Sequence, residues 1–177
     1  LRKQLLHMWA EDQRVRTELR TKVAQLNNNW GDPQLAPLYR QVDHQDSIHL
    51  SQLKTILAQG WPTLREVGKD GAFAAWAIAQ HANQIPFQEA CLNAMKPLLA
   101  TQEVNPVHFA ELTDRVLVNQ KRKQWYGMAI DPQKGGFYPI EDEANVNQRR
   151  QAIGLEPLAV YAHLNGFEYP QTAPSTK

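Results

Sequence analysis

Residues 71–82 have the sequence GAFAAWAIAQHA, and this segment decides the fold. It is rich in alanine, the best helix former, whose small side chain also lets neighbouring helices approach closely. Asp70 precedes the segment at the position of a helix N-cap. The pattern therefore predicts a central helix over residues 71–83, with Gln80 and His81 as polar residues on a surface that is otherwise apolar and small.

Helical periodicity continues on both sides of this segment. Apolar residues recur mostly at three- or four-residue steps, which is typical of helices that bury one face. Thr63 and Glu66 match a capping box that opens one further turn of helix, closed by Gly68. The pattern predicts six more helices, with a kink at Pro97, over residues 1–28, 41–59, 86–100, 105–121, 142–153 and 156–164.

The periodicity stops between Gln124 and Asp142. Aromatic residues here flank Gly135-Gly136, a pair that favours a turn between two extended segments. We therefore expect an all-α, single-domain bundle of five to seven helices over residues 1–168. An irregular hairpin-like insertion near residues 124–142 would fold over one end of it, and residues 169–177 are predicted to be a disordered tail.

Composition narrows the class of protein. With 177 residues and 42% hydrophobic content, the chain can bury a core without disulfides. The net charge of +1 and the lack of a basic–aromatic stripe argue against a nucleic-acid partner. No run approaches the ~18 apolar residues of a membrane span, so we expect a soluble protein. Its expected partner is a small molecule or another protein. The compartment stays open, either cytoplasmic or exported after removal of a signal peptide.

Residues that commonly hold metals or form disulfides are poorly arranged for either role. Cys91 is the only cysteine, and on a predicted helix it is interpreted as a small buried thiol rather than a nucleophile. Asp43, His44, Asp46 and His49 cluster in sequence. However, His44 and His49 diverge by about 140° on a helix. We therefore expect no metal and no cofactor.

Gln80-His81 is the strongest candidate for chemistry. Trp76 and Gln80 share a helix face, and His81 is displaced from them by about 100°. Imidazole can act as a base, an acid or a ligand near neutral pH. The simpler interpretation is a core histidine bonded to a carbonyl or a carboxylate, and both interpretations stay open.

Asp114-Arg115 lies in a predicted helix whose core-facing residues are apolar. Either an ion pair braces this helix against another, or Arg115 recognises an anionic group. Trp125-Tyr126-Gly127 follows soon after the helix end, where aromatic rings can line a binding cleft or cover the end of a bundle.

The first predicted helix carries a further patch of charged residues. Glu11, Asp12, Arg14 and Arg16 are interpreted mainly as a solvated face. Asp12 or Arg16 could nevertheless reach a central polar network.

The spaced polar motifs resemble a bacterial family of uncharacterised helical proteins. The resemblance covers nearly the whole chain and includes Asp12-Gln13 with Arg16, GWPT at residues 60–63, QHA at 80–82, LTDRVL at 112–117, QxYG at 124–127 and Arg149-Arg150. One departure is that Met128-Ala129 stand where Thr-Gln is usual. The resemblance implies a helical domain but no established reaction.

The polar motifs are predicted to converge on one cleft, lined by Trp61, Gln80, His81, Asp114, Arg115, Gln124 and Tyr126. The first hypothesis is a binding or interaction module. Arg115 would take an anionic group of a small ligand or protein partner, Gln80 and Gln124 would orient it, and Trp61 and Tyr126 would give apolar contact. The lack of a recognised nucleophile–base pairing favours this hypothesis.

Two alternatives are kept. One is a small hydrolase or lyase with His81 as general base, Asp114 orienting the imidazole and Arg115 steadying a developing negative charge. The other is an inhibitor or immunity protein, which predicts a large exposed apolar patch away from the cleft.

Overall fold

The computed structural model describes residues 1–169, so all but the first residue of the predicted tail lie outside the described part. The chain divides into two compact units, the first Leu1–Val104 and the second beginning at Asn105. Within residues 1–169 it forms seven α-helices and one very short hairpin, which confirms the all-α class and the predicted number of helices. The single domain predicted for residues 1–168 stays a prediction.

The first unit contains four α-helices. They are α1 (Arg2–Gln25), α2 (Ala36–Leu57), α3 (Leu64–His81) and α4 (Ile85–Met95). Helix α1 packs against both α2 and α3, and α2 also packs against α3. Single 3₁₀ turns precede α2 at Pro33–Leu35 and follow α4 at Lys96–Leu99. The helix predicted to continue to residue 100 with a kink at Pro97 instead ends as an α-helix at Met95, because proline lacks the amide hydrogen that continues the pattern.

The range of α3 includes both the predicted short turn of helix and the predicted central helix. Thr63 and Glu66 form the predicted capping box, with Thr63 Oγ1 accepting from the Glu66 amide and the Glu66 carboxylate accepting from the Thr63 amide. Gly68 then takes φ 68° and ψ 175°, a non-helical conformation that separates the short turn from the central helix, as predicted. Glycine adopts this positive φ at low cost.

The alanine face of α3 is the centre of the first unit. Its fully or almost fully buried members are Ala72, Ala74, Ala75, Ala77 and Ala79. Small residues there permit the close approach of α1 and α2, whose apolar stripes supply buried Leu5, Met8, Val42 and Leu53. The sequence segment that predicted the central helix therefore also sets its distance from its neighbours.

Two predicted boundaries shift for local reasons. Helix α2 begins at Ala36 rather than residue 41, because Pro37 suits the first turn of a helix. The helix predicted from residue 142 begins as a 3₁₀ turn at Glu143–Asn145 and becomes α-helical only at Val146.

The second unit contains three α-helices and the predicted hairpin. The helices are α5 (Pro106–Asn119), α6 (Val146–Ala152) and α7 (Leu158–Leu164). Strands β1 (Ile130–Asp131) and β2 (Gly136–Phe137) pair antiparallel, with Ile130 opposite Phe137 and Asp131 opposite Gly136. Ile140, Val146 and Leu158 form a buried apolar cluster, and Tyr169, the first residue of the predicted tail, packs against it.

None of the helices within residues 1–169 combines the length and apolar character that crossing a membrane requires.

Overpacking the alanine face should destabilise the first unit. Ala75 is fully buried on α3, so Ala75→Leu inserts three heavy atoms where no space exists and should lower the free energy of unfolding by about 1–3 kcal/mol. Ala90→Leu makes the same chemical change at an exposed position of α4 and should have an effect of at most about 0.5 kcal/mol. Urea unfolding of both variants measures the difference, and equal stabilities would contradict the packing described.

Candidate functional site

The main polar network of the first unit is centred on Asp12. This residue lies on α1 and is completely buried, with a relative exposure of 0%. Its Oδ1 lies 2.8 Å from Nδ1 of His81, the last residue of α3, and 3.0 Å from Nε of Arg16. Its Oδ2 accepts from the side-chain amide of Gln13 at 2.8 Å. A single carboxylate therefore ties together one turn of α1 and the end of α3.

Arg16 extends this network to α2. While its Nε binds Asp12, its Nη2 donates to Oδ1 of Asp46 at 2.6 Å. The spacing between Asp12 and Arg16 is one helical turn, so both side chains leave α1 on the same face. The guanidinium is engaged by two carboxylates, and its charge serves to hold those groups in place.

The charges in the network favour an ionised Asp12. Burial opposes ionisation, but the hydrogen bond from His81, the positive charge of Arg16 and the Gln13 amide outweigh it, so the pKa of Asp12 is lowered. Burial also raises the pKa of Asp46, and there it outweighs the opposing effect of Arg16. Because an ionised carboxylate can only accept, Nδ1 of His81 must carry the proton of the hydrogen bond to Asp12.

The fixed Nδ1–H bond leaves Nε2 of neutral His81 as the basic nitrogen. The His81 side chain keeps 27% of its surface exposed, whereas the neighbouring carboxylate of Asp12 has none. The imidazole also stacks on the indole of Trp9, with ring centroids 6.2 Å apart and an interplanar angle of 25°. The ring is thus oriented from two sides and still reaches solvent.

A small cleft borders this network. It encloses about 180 Å³ and is lined mainly by polar residues of α2 and of the chain just after α3: Asp43, Asp46, Ser47, Leu50, Ala82, Asn83 and Gln84. Asp46 belongs to both the network and the cleft wall. The cleft is large enough for a small polar group, and its side chains offer hydrogen-bond donors and acceptors.

His49 is a second histidine close to the network, but it is buried. It lies on α2 with only 2% of its surface exposed, and its Nε2 is 2.8 Å from the amide nitrogen of Gln45. Burial lowers the pKa of His49, so the ring is neutral at pH 7. This residue illustrates the core interpretation that the sequence left open for His81.

Trp61 and Gln80, both predicted to bind ligand, also belong to the first unit. Trp61 is buried and lines a groove of about 510 Å³ together with Gln4, Gln59, Thr63 and other residues. Gln80 is buried on α3, and its backbone carbonyl accepts from the side chain of Gln88 at 3.4 Å. Cys91 on α4 is fully buried as predicted, and burial raises the pKa of its thiol to about 12.

In the second unit, Asp114 holds the loop that follows α5. It is completely buried, and its Oδ1 accepts from the backbone N–H groups of Trp125 and Tyr126, at 2.6 and 3.0 Å. Its Oδ2 accepts from the amides of Tyr126 and Met128, at 3.1 and 2.8 Å. These hydrogen bonds occupy both carboxylate oxygens with backbone amides, which supports a structural role for Asp114.

Gln124 fixes the same loop in a similar way. Its side-chain Oε1 accepts from the amide of Ala129 at 2.8 Å, and its Nε2 donates to the carbonyls of Ala129 and Tyr138 at 2.9 and 2.8 Å. Its backbone also pairs with the chain at Pro139 and Glu141. The amide side chain therefore replaces ladder hydrogen bonds that the irregular hairpin lacks.

Two arginines of α6 complete this anchoring. Arg150 is almost fully buried and donates to the carbonyls of Tyr126 and Glu156, both at 2.6 Å. Arg149 donates to the carbonyls of Trp125, Glu141 and Asp142, and its guanidinium lies 4.4 Å from the Trp125 ring centroid. The sequence pattern predicted no role for these arginines. Two adjacent arginines in a short helix could nevertheless have indicated that the helix binds backbone carbonyls.

Glycine is required at the centre of the anchored loop. Gly127 has φ 72°, a conformation that side chains rarely adopt, and a Cβ atom there would lie 2.6 Å from Cδ1 of Leu158. Tyr126 beside it is buried, and its ring meets that of Phe109 edge-on with the two ring centroids 6.3 Å apart.

Arg115, which was predicted to bind an anionic group, is exposed on α5.

The predicted site residues therefore fall into two groups. Trp61, Gln80 and His81 lie in the first unit, and Asp114, Arg115, Gln124 and Tyr126 lie in the second. The carboxylate that binds His81 is Asp12, and the guanidinium beside it is that of Arg16. One cleft lined by all seven residues stays a prediction.

Fold and site together define an all-α protein with a buried carboxylate–imidazole–guanidinium network. Over residues 1–171 the chain matches the Family of unknown function (DUF6624), and it belongs to that family. This confirms the predicted membership of an uncharacterised family, while the bacterial origin stays a prediction. Neither curated proteins nor solved structures give a significant match.

Removing the charge of Asp114 should release the loop. In Asp114→Asn one oxygen acceptor is replaced by an NH₂ group that faces backbone N–H donors, so buried amides lose their partners. The free energy of unfolding should fall by on the order of 2–3 kcal/mol. Asp43→Asn, at an exposed position of α2, is the control and should change it by at most about 0.5 kcal/mol. A small effect of Asp114→Asn in urea unfolding would contradict the anchoring role.

Stability should also depend on pH through Glu111 of α5. Burial raises the pKa of this carboxyl from 4.5 to about 7, so folding favours its protonated form. A destabilising contribution therefore builds up between pH 4.5 and about pH 7 and persists above that range. Glu111→Gln should be more stable than the wild type at pH 8, by on the order of 2–3 kcal/mol, and about equally stable at pH 4.5.

The control for this pH dependence is Glu156→Gln, which changes an exposed glutamate of the same unit. It should leave the stability within about 0.5 kcal/mol of the wild type at both pH values. Denaturant unfolding of Glu111→Gln that shows the same difference at pH 4.5 and pH 8 would rule out titration of Glu111 as the cause.

Proposed function

We propose that the protein is a small hydrolase or lyase in which His81 is the general base and Asp12 orients it. The observation that carries this proposal is the 2.8 Å hydrogen bond between His81 Nδ1 and a fully buried carboxylate, on an imidazole that still reaches solvent. A base held in one tautomer presents its other nitrogen in a fixed direction. This is the arrangement that proton abstraction requires.

The charge balance of the network supports the same assignment. With Asp12 and Asp46 ionised and Arg16 protonated, the three groups carry a net charge of −1. Uptake of a proton by His81 brings the four groups to neutrality. A positive charge formed on His81 is therefore compensated within the network.

Arg16 has a positioning role in this mechanism. Its Nε and Nη2 bind two different carboxylates, so the guanidinium keeps Asp12 and Asp46 aligned. Its charge is already compensated, so backbone or substrate groups would have to steady a developing negative charge. This differs from the role that the sequence hypothesis gave to Arg115.

In the hydrolytic form of the reaction, Nε2 removes a proton from water as the water oxygen attacks an electrophilic centre. The imidazolium then returns that proton to the leaving group, so His81 ends the cycle neutral. In the elimination form, Nε2 takes a proton from carbon, the electrons of the broken C–H bond form the new double bond, and the leaving group departs with its bonding electron pair. The imidazolium then gives its proton to the leaving group or to water, so His81 again ends the cycle neutral. Both forms use the same nitrogen and need no covalent enzyme intermediate.

The second candidate is a binding module without catalysis. It is supported by the cleft of about 180 Å³ beside the network, whose walls combine carboxylate, hydroxyl and amide side chains. Such a cleft suits a small ligand that donates hydrogen bonds. In this case Asp12 and His81 would fix the wall of the cleft, and substituting His81 would alter affinity alone.

Replacing His81 should remove activity without unfolding the protein. We expect the wild type to turn over at least one member of a panel of chromogenic esters, phosphoesters, amides and β-eliminating substrates. His81→Gln should slow this reaction by about 10²–10⁴-fold, the usual contribution of a general base. Asp12→Asn should also slow it, since its amide can donate to Nδ1 and stabilise the wrong tautomer.

The matched control is His44→Gln, which changes an exposed histidine on α2. It should keep full activity, and all variants should be compared by thermal unfolding. Activity that survives in His81→Gln would eliminate the general-base assignment. Ligands that stabilise both wild type and His81→Gln, without any turnover, would instead favour the binding module.

A further inference from the structure

The aromatic residues beside His81 form a continuous row that the proposed mechanism does not use. Trp9 of α1 stacks on His81 on one side and meets Phe73 edge-on, with ring centroids 5.3 Å apart, on the other. Phe73 in turn lies 5.4 Å from Trp76 at an interplanar angle of 50°. The row therefore joins two helices and ends at the candidate base.

The helical spacing explains how one indole contacts two rings of α3. Phe73 and His81 are eight residues apart, which is about 12 Å along a helix. The indole of Trp9 bridges this distance, with its ring centroid 5.3 Å from that of Phe73 and 6.2 Å from that of His81. This forms an aromatic wall, which we define as Trp9 and Phe73 next to His81.

Part of the wall is accessible to solvent. Phe73 is 38% exposed, and Trp9 is only partly buried. Trp30 and Trp125 are also exposed, but what distinguishes the wall is the direct contact of Trp9 with His81. The wall thus places accessible ring surface directly beside a titratable nitrogen.

We infer that the site takes a substrate with a planar aromatic or heteroaromatic ring, which packs against Trp9 and Phe73 next to the imidazole. This inference rests on the proposed function, because the ligand is a substrate only if the protein is an enzyme. A flat ring can make offset-stacked and edge-on contacts with a row of rings that already alternates between these two geometries. An aliphatic group of the same volume would bury similar area but lacks the π face.

The contact also has a consequence for reactivity. Trp9 contacts the imidazole that Asp12 orients, so a substrate ring held against Trp9 would be held near His81. Binding energy from the ring would then position the reacting group. Trp9 is accordingly a specificity-determining residue, whereas His81 is the catalytic one.

The test uses two neutral probes of similar size with the same acetamide group, phenylacetamide with a planar aromatic ring and cyclohexylacetamide with a puckered aliphatic ring. NMR titration follows the indole N–H of Trp9 and the imidazole Cε1–H of His81 in the full chain. Phenylacetamide should bind the wild type with a Kd at least about threefold lower than that of cyclohexylacetamide. Trp9→Leu, followed through the His81 signal, should bring the ratio of the two Kd values to about one.

The controls separate this inference from the proposed function. Trp30→Leu changes a tryptophan that is 54% exposed elsewhere in the first unit and should leave the ratio unchanged. His81→Gln should retain the preference for phenylacetamide, followed through the Trp9 signal, even though it removes the proposed base. A preference for phenylacetamide that depends on Trp9, in a protein that turns over none of the chromogenic substrates, would support the aromatic wall and contradict the proposed catalytic function.

Equal Kd values for the two probes, no detectable binding of phenylacetamide, or a ratio that survives Trp9→Leu would each overturn the inference. Loss of structure in Trp9→Leu is checked by its thermal unfolding. If that variant is unfolded, Phe73→Leu replaces it, because the exposed Phe73 ring belongs to the same wall. It should lower the ratio toward one, and an unchanged ratio would overturn the inference in the same way.

Discussion

The first unit depends on the burial of one negative charge. Moving a carboxylate away from water is costly unless polar partners replace the lost hydration. Asp12 receives three such partners, from Gln13, Arg16 and His81, and through them α1 is fixed to α3 and, by way of Asp46, to α2. Orientation of the imidazole and positioning of the helices thus have the same physical cause.

A buried carboxylate has a different task in the second unit. Asp114 meets backbone amides rather than charged side chains, and it thereby gives shape to a loop with little regular pairing of its own. Asp12 and Asp114 show that a buried aspartate can either orient an imidazole ring or accept hydrogen bonds from several backbone N–H groups. What surrounds each carboxylate decides between these uses.

The sequence predicted the fold well because helices leave a periodic apolar pattern and explicit signals at their ends. The capping box at Thr63 is such a local feature, and it forms where the pattern placed it. The predicted helix end at Gly68 is another local feature, because this glycine takes a non-helical φ of 68° and ψ of 175°. At Pro97 the pattern predicted a kink in a helix that continues to residue 100, whereas the α-helix ends at Met95 and a 3₁₀ turn follows.

The polar partners were harder to predict because they join residues far apart in sequence. His81 was recognised as a titratable residue in an apolar helix, and Asp12 and Arg16 as able to reach a central network. Their pairing depends on how α1 lies against α3, which periodicity does not specify. Asp114 was noticed for the right reason, as a carboxylate on a largely apolar helix, but nothing in the sequence indicates that its partners are main-chain amides.

Anchoring through main-chain groups has a consequence for the hairpin between β1 and β2. Asp114 and Gln124 bind peptide N–H and C=O groups at residues 125, 126, 128, 129 and 138, and these groups are the same whatever side chains the loop carries. Other side chains at positions 128 and 129 would therefore leave these main-chain hydrogen bonds of the anchor intact. By the same reasoning, the exposed tip around Gln133 and Lys134 suits the insertion of a foreign peptide or a fluorescent label.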